Sequence, residues 1–265
     1  MLDDPIVRGT LDRIEGGPGH RTRDGTADAK KNDLKPWLKE QWVLPREANA
    51  DYVGAMEDVL EVYHRPYDPH RPVVCVDEAS KQLVADVTPP VPMQPGQPAR
   101  QDYEYVRCGT TNLFMVFEPL AGRRRVHVTP QRTQRDMAAL LKALADDDYA
   151  HAEKIVLVMD NLNTHKLAVL YQAFSPAEAR RLWERFEVHY TPKHASWLNM
   201  AETELSVLTR QCLDRRMDDA TTVQTEVAAW EQQRNAAKVR VDWQFTTADA
   251  RIKLKRLYPV MEPVK

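Results

Sequence analysis

The chain has 265 residues, 43% of them hydrophobic, enough for a sizeable core, and 37 Lys and Arg against 39 Asp and Glu leave a net charge of -2. That balance supplies no bulk attraction to nucleic acid or to a membrane surface, so any polyanion site must be a local patch. Cys75, Cys108 and Cys212 lie far apart with no C-x-x-C spacing, and no apolar run nears the ~20 residues of a membrane span. This argues against a disulfide framework, a zinc site or a membrane protein, and the N-terminus lacks a signal-peptide core; the expectation is a cytoplasmic protein in a reducing compartment.

Five of the nine glycines fall within the first 25 residues, in a stretch without apolar periodicity. Residues 1–33 therefore read as a disordered or unrelated leader. The run "GGPGH" is not followed by the G-K-[ST] of a phosphate loop. Residues 34–71 read as a linker helix region, with Ala55, Val59, Leu60 and Tyr63 at helical spacing between Pro45 and Pro66. The main domain is expected over 72–218. It opens with "PVVCVDEA", a short buried strand ending at Asp77 and Glu78, followed by the proline-dense excursion "TPPVPMQPGQPARQD".

"YEYVRCGTTNLFMVFEPL" and "RRRVHVTPQ" form an antiparallel hairpin through "AGR". "TQRDMAALLKALADDDY" puts Met137, Leu140, Leu141 and Leu144 on one helical face, and "KIVLVMD" is a second buried strand, ending at Asp160. "SPAEARRLWERF" is a helix with Ser175 as N-cap, Pro176 in the first turn and Glu178 completing a capping box. It leads into the strand "EVHYTP". In "SWLNMAETELSVLTRQCLDRR", Leu198, Ala201, Leu205 and Leu208 share a face. Residues 219–265 add a helix around Trp230, a strand-like "VRVDWQF" and a basic helix "TTADARIKLKRLYP", read as a helical, basic tail packed on the main domain. The sum is a mixed α/β domain with helices on a sheet that starts antiparallel and turns parallel.

Two strands ending at Asp77 and Asp160 and a helix beginning "NMAETE" would bring acids to one sheet edge. Crowded carboxylates repel unless hard cations neutralise them, and two Mg²⁺ ions roughly 3.5–4 Å apart suit in-line phosphoryl transfer. Spacing alone leaves open that both aspartates merely cap loops. Periodicity also leaves Glu202 and Glu204 equivalent, flanking the apolar stripe on opposite sides at ~100° per residue.

"VVCVDEASKQ", "IVLVMDNLNTHK" and "HYTPKHASWLNMAETELSVL" together resemble the three signature blocks of mariner-type DDE transposases, bacterial insertion-sequence branch, within the ribonuclease H-like and retroviral integrase superfamily. The resemblance runs from about Leu34 to Tyr258. It implies an α/β, ribonuclease H-like fold with a mixed five-stranded sheet. It implies Asp77, Asp160 and Glu202 as catalytic metal ligands, Glu202 being the acid three residues after the asparagine of "WLN". The implied cofactor is two Mg²⁺ ions, replaceable by Mn²⁺. The implied partners are the DNA of element ends and target, with a homodimer or higher oligomer on DNA and no membrane. The spacing from Asp160 to Glu202 is somewhat longer than is usual for the family, and the "SPAEARRLWERF" helix could take up the difference.

Asn161, His165 and Asn199 are candidates to support the site; a turn amide and a loop histidine are the plainer readings of the first two. Trp197 is expected to pack the helix start, and Glu78, on the opposite strand face to Asp77, to be a surface group or a neighbour of the ligands. His189 and His194 lack the further partners zinc would need. "GRRRVHV", "RQCLDRR" and "RIKLKR" mark Arg123, Arg124, Arg125, Arg215, Arg216, Arg251 and Lys253, with Lys193, as candidate DNA contacts. Members of the family carry an N-terminal helix-turn-helix region that residues 1–28 do not resemble. The expectation is a truncated or frameshifted gene, and the competing function is a silent remnant that binds DNA or full-length transposase. A ribonuclease H-like nuclease with another substrate ranks third.

Overall fold

The computed structural model describes residues 44–161 and 165–260. The expected leader and the start of the linker helix lie outside the described residues. The first helix, α1 (Ala50–Tyr63), is capped by Asn49, whose side chain accepts from Tyr52 N. Met56, Val59, Leu60 and Tyr63 on its inner stripe are buried.

Five strands follow: β1 (Val73–Asp86), β2 (Tyr105–Glu118), β3 (Arg123–Thr129), β4 (Ile155–Met159) and β5 (Phe186–Tyr190). They form one sheet in the order β3-β2-β1-β4-β5. β1 with β2 and β2 with β3 are antiparallel, whereas β1 with β4 and β4 with β5 are parallel. This is the mixed sheet expected. Parallel neighbours need crossovers, and α2 (Gln134–Ala143), α3 (Leu170–Ala173) and α4 (Pro176–Trp183) supply them. The remaining helices are α5 (Met200–Leu208), α6 (Ala220–Ala236) and α7 (Thr247–Lys253).

Strand alternation divides the interior into two layers. Val74, Val76, Phe114, Val116, Ile155, Leu157 and Met159 face Met137, Leu140, Leu141, Leu144, Leu170 and Leu182 from α2–α4. Cys75, Met115, Phe117, Val156 and Val158 face the other way, against α1, α5 and α6. The expected stripe Leu198, Ala201, Leu205 and Leu208 lies wholly within this second layer. Trp197 packs there, stacked 6.2 Å from Trp243 with its indole N–H on the Tyr52 hydroxyl, as expected of a helix-start anchor.

Three local expectations need correction. β1 does not end at Asp77: antiparallel pairing with β2 carries it to Asp86, and only the parallel pairing with β4 stops, at Cys75. A long partner strand is a tertiary fact that a short apolar run does not reveal. Ser175 makes no side-chain cap bond, because Pro176 already fills the first helical position and Glu178 is drawn to Lys142 and Arg181. "VRVDWQF" forms no strand; Val241 N–H bonds to Pro119 O, and Trp243 and Phe245 pack as isolated anchors beside Trp197. Alternation there reflects aromatic anchoring of an irregular segment. The excursion 88–102 is exposed, with only the isolated bridges Val91↔Arg100 and Gln94↔Gln97.

Candidate active site

The last β1–β4 pair is Cys75↔Val158. Two residues further along each chain stand Asp77 and Asp160, just past the point where hydrogen bonding between the strands ceases. Asp77 shares the Cys75 face of β1, the face covered by α5. Asn199 ties that helix to the strand: buried at 1% exposure, it donates to Val76 O (3.1 Å), and its side-chain oxygen caps Ala201 N–H (3.1 Å). Glu202 then lies in the first turn of α5, where the helix dipole favours a carboxylate.

These three acids feel one another. Burial above all pushes the Asp77 carboxyl up to about 7; the Glu78 N–H, 2.8 Å away, opposes this, while the charges of Asp160, Glu202 and Glu78 add to it. Glu202 is raised by desolvation and by Asp160, against a hydrogen bond from Ser196. Asp77 and Glu202 thus both lie within electrostatic reach of Asp160.

Glu204, the other candidate, goes elsewhere. Its side chain is 4% exposed and accepts from Arg124 Nε at 2.5 Å and Arg234 Nε at 2.7 Å. Arg124 in turn donates to Gly122 O and Val239 O and lies over the Phe117 ring. Arg124 is therefore not a DNA contact: its side chain is wholly buried, and its charge is consumed in fastening α5 and α6 to β3. A run of three arginines on an edge strand alternates faces, so the middle one points inward.

The other basic candidates reach solvent. Arg123 and Arg125 converge on Asp148, Arg215 pairs with Glu226 at 2.7 Å, and Arg251 with Glu57 at 2.8 Å. Arg216 is the most constrained, bound to Asp86 and to the carbonyls of Asp102 and Glu104. Lys253 lies 5.8 Å from the Phe245 ring centre. Exposed Lys193 borders an open cleft of about 600 Å³ that Asn161, Tyr190, His194 and Arg46 also line.

His165 is fully buried behind Asp160, its two ring nitrogens bonded to Asp160 Oδ1 and Glu78 Oε2. Burial opposes its charge, but the two carboxylates prevail and hold it up at about 10. Glu78 is correspondingly no surface group, with a side chain 6% exposed. Alternation had placed it on the correct face; only the fold brought His165 to that face. His189 bonds to Asp58 and Glu187.

All-oxygen carboxylate donors suit a hard divalent cation, and the charges of Asp160 and Glu202 add to the burial that raises Asp77. The residues fit a metal in donor type, although among the described residues no group of three or more His, Cys, Asp or Glu stands closed around a single point.

Comparisons with known proteins agree with this architecture. The family model of the DDE superfamily endonucleases matches residues 72–224, more than half of the chain, and the chain belongs to that family. Endonucleases of this superfamily use divalent metal ions. Among solved structures, the Mos1 strand transfer complex matches at 15% identity and a TM-score of 0.54, covering 96% of this chain and 71% of that one. The Mos1 mariner paired end complex with Mn matches at 16% identity and a TM-score of 0.49, covering 94% and 69%. The first likeness establishes the ribonuclease H-like fold. A search of curated proteins found no match.

Proposed function

We propose that this chain is the catalytic domain of a mariner-type DNA transposase of the insertion-sequence branch, cutting element ends and joining them to target DNA. The observation that carries the reading is the placement of Asp77 within β1, Asp160 just past β4 and Glu202 in the first turn of α5, near enough that, after burial, the charges of Asp160 and Glu202 help raise Asp77 to about 7. The three matching sequence blocks and the endonuclease family support it.

Asp77, Asp160 and Glu202 would hold two Mg²⁺ ions, with Mn²⁺ able to replace them. Bound there, the cations would supply Lewis-acid stabilisation of charge on the attacking and leaving oxygens of an in-line phosphoryl transfer. The chain's own contribution is placement. Asp77 is held in the sheet, Glu202 is set by the Asn199 tether, and His165 holds one oxygen of Asp160. Lys193 and Asn161, on the cleft wall, would meet the phosphates of a bound strand, with Arg123, Arg125, Arg215, Arg216, Arg251 and Lys253 as further contacts. The partners are element-end and target DNA, with a homodimer or higher oligomer on DNA, in the bacterial cytoplasm. Among the described residues no helix is long and apolar enough to cross a membrane. We divide the chain into a linker region to residue 71, a catalytic domain over 72–218 and a helical, basic tail.

The test is nicking and strand transfer on labelled oligonucleotides carrying the gene's flanking ends, with Mg²⁺, Mn²⁺ or Ca²⁺. Asp160→Asn and Glu202→Gln should abolish Mg²⁺- and Mn²⁺-dependent activity. Folded wild-type protein that is inactive even on pre-cut ends would instead indicate a silent remnant.

A further inference from the structure

β1 places two adjacent acids on opposite sides of the sheet. Asp77 faces α5, while Glu78, with Val74 and Val76, faces the layer of α2–α4. On that second side Glu78 meets His165 Nε2, and the same ring meets Asp160 through Nδ1. Both Glu78 and His165 are shut from solvent, whereas the Asp160 side chain is 35% exposed. The Tyr190 hydroxyl, from the end of β5, donates to His165 O at 3.2 Å and fixes the backbone beneath the ring. Arg132 Nη1 lies 4.0 Å from the other Glu78 oxygen.

A buried imidazole bonded at both nitrogens cannot turn without breaking both bonds, and each unmet buried group would cost about 1–3 kcal/mol. The ring orientation is therefore set from two strands at once. One oxygen of Asp160 is in turn directed by that ring and not by solvent.

We propose that Glu78 is a positioning residue that acts through His165 on Asp160, so that the two adjacent acids of β1 govern two different ligands of the site. Asp77 would serve directly and Glu78 through the histidine. The inference rests on the catalytic reading above and adds Glu78 to it. Carboxylate–histidine pairs behind metal ligands typically change metal affinity by about 10–100-fold when broken. The carboxylate oriented at the end of such a pair should respond similarly.

The test is Mn²⁺ binding to the full chain without DNA, followed by titration calorimetry and by the resonance of free Mn²⁺. The proteins compared are wild type, Asp160→Asn, Glu78→Gln, His165→Asn and the double variant. Asn at 165 is too short to reach Glu78. Asp160→Asn should lose binding, and Glu78→Gln and His165→Asn should each weaken it about 10–100-fold. The double variant should bind no more weakly than His165→Asn alone. If Glu78→Gln binds as wild type does, or weakens the His165→Asn protein as much as it weakens wild type, Glu78 does not act through the histidine and the proposal falls. If Asp160→Asn binds as wild type does, the catalytic reading itself falls and takes the proposal with it. Should Glu78→Gln not fold, Glu78→Asp decides: its shortened carboxylate no longer reaches His165 Nε2, so weakened Mn²⁺ binding supports the proposal and binding equal to wild type overturns it.

Discussion

Glu204 and Arg124 meet at 2.5 Å with both side chains almost wholly excluded from water, joining α5 to the edge strand β3. Glu202, two residues before Glu204 on the same helix, is exposed. The helix thus spends one acid on its own attachment and presents the other. Truncating one partner of a buried pair leaves an uncompensated charge, at a cost of about 3–5 kcal/mol. Glu204→Ala should therefore lower unfolding free energy by about that amount, while Glu202→Gln should stay within about 1 kcal/mol of wild type. Urea denaturation of the two variants measures the difference. Equal stabilities would show that the Arg124 contact does not fasten the helix.

Asp77 makes the metal-free protein sensitive to pH in a direction opposite to that of a salt-bridged aspartate. Its folded value of about 7 lies above the 3.8 of an ordinary aspartate, so between those values the folded state binds more protons than the unfolded state. Its contribution is fully present below about pH 4 and is lost as pH rises toward 7. Asp77→Asn should consequently be more stable than wild type above pH 7, by up to about 4 kcal/mol, and indistinguishable near pH 4. Denaturation across that range in a chelator reads this out, and an identical pH profile in the variant would contradict it.

Asn199 has two separable tasks, capping α5 at Ala201 N–H and donating to Val76 O one residue before Asp77. Asn199→Asp keeps the cap acceptor but not the donor, and should cost about 1–3 kcal/mol for the buried carbonyl left unmet. Asn199→Ala should lose about 1 kcal/mol more with the cap. Both should reduce the cleavage rate, because Glu202 then moves relative to Asp77. Two variants of equal stability would show that only one of the two bonds matters.

Much of the architecture was legible along the chain. Apolar runs announced β1 and β4, the hairpin turn lay where "AGR" put it, and the stripes of α2 and α5 are buried as their spacing required. Those features depend on local period and turn chemistry, which a sequence carries directly. The three sequence blocks, by resemblance, nominated Asp77, Asp160 and Glu202 as the ligands proposed above. Several outcomes share one cause. Arg124, the choice between the two readings of Glu78, and the true end of β1 depend on a neighbour distant along the chain: Arg124 on Glu204, Glu78 on His165, and the far half of β1 on β2.

The sequence by itself determined where most of the sheet strands and helices begin and which faces they bury, because backbone period and burial of apolar side chains are properties of short stretches. Only the tertiary structure decided which charges are used inside the protein and which face outward. A guanidinium or carboxylate has the same local signature in water as in the core, and its place is settled by whether folding brings it an opposite charge to offset the loss of solvent.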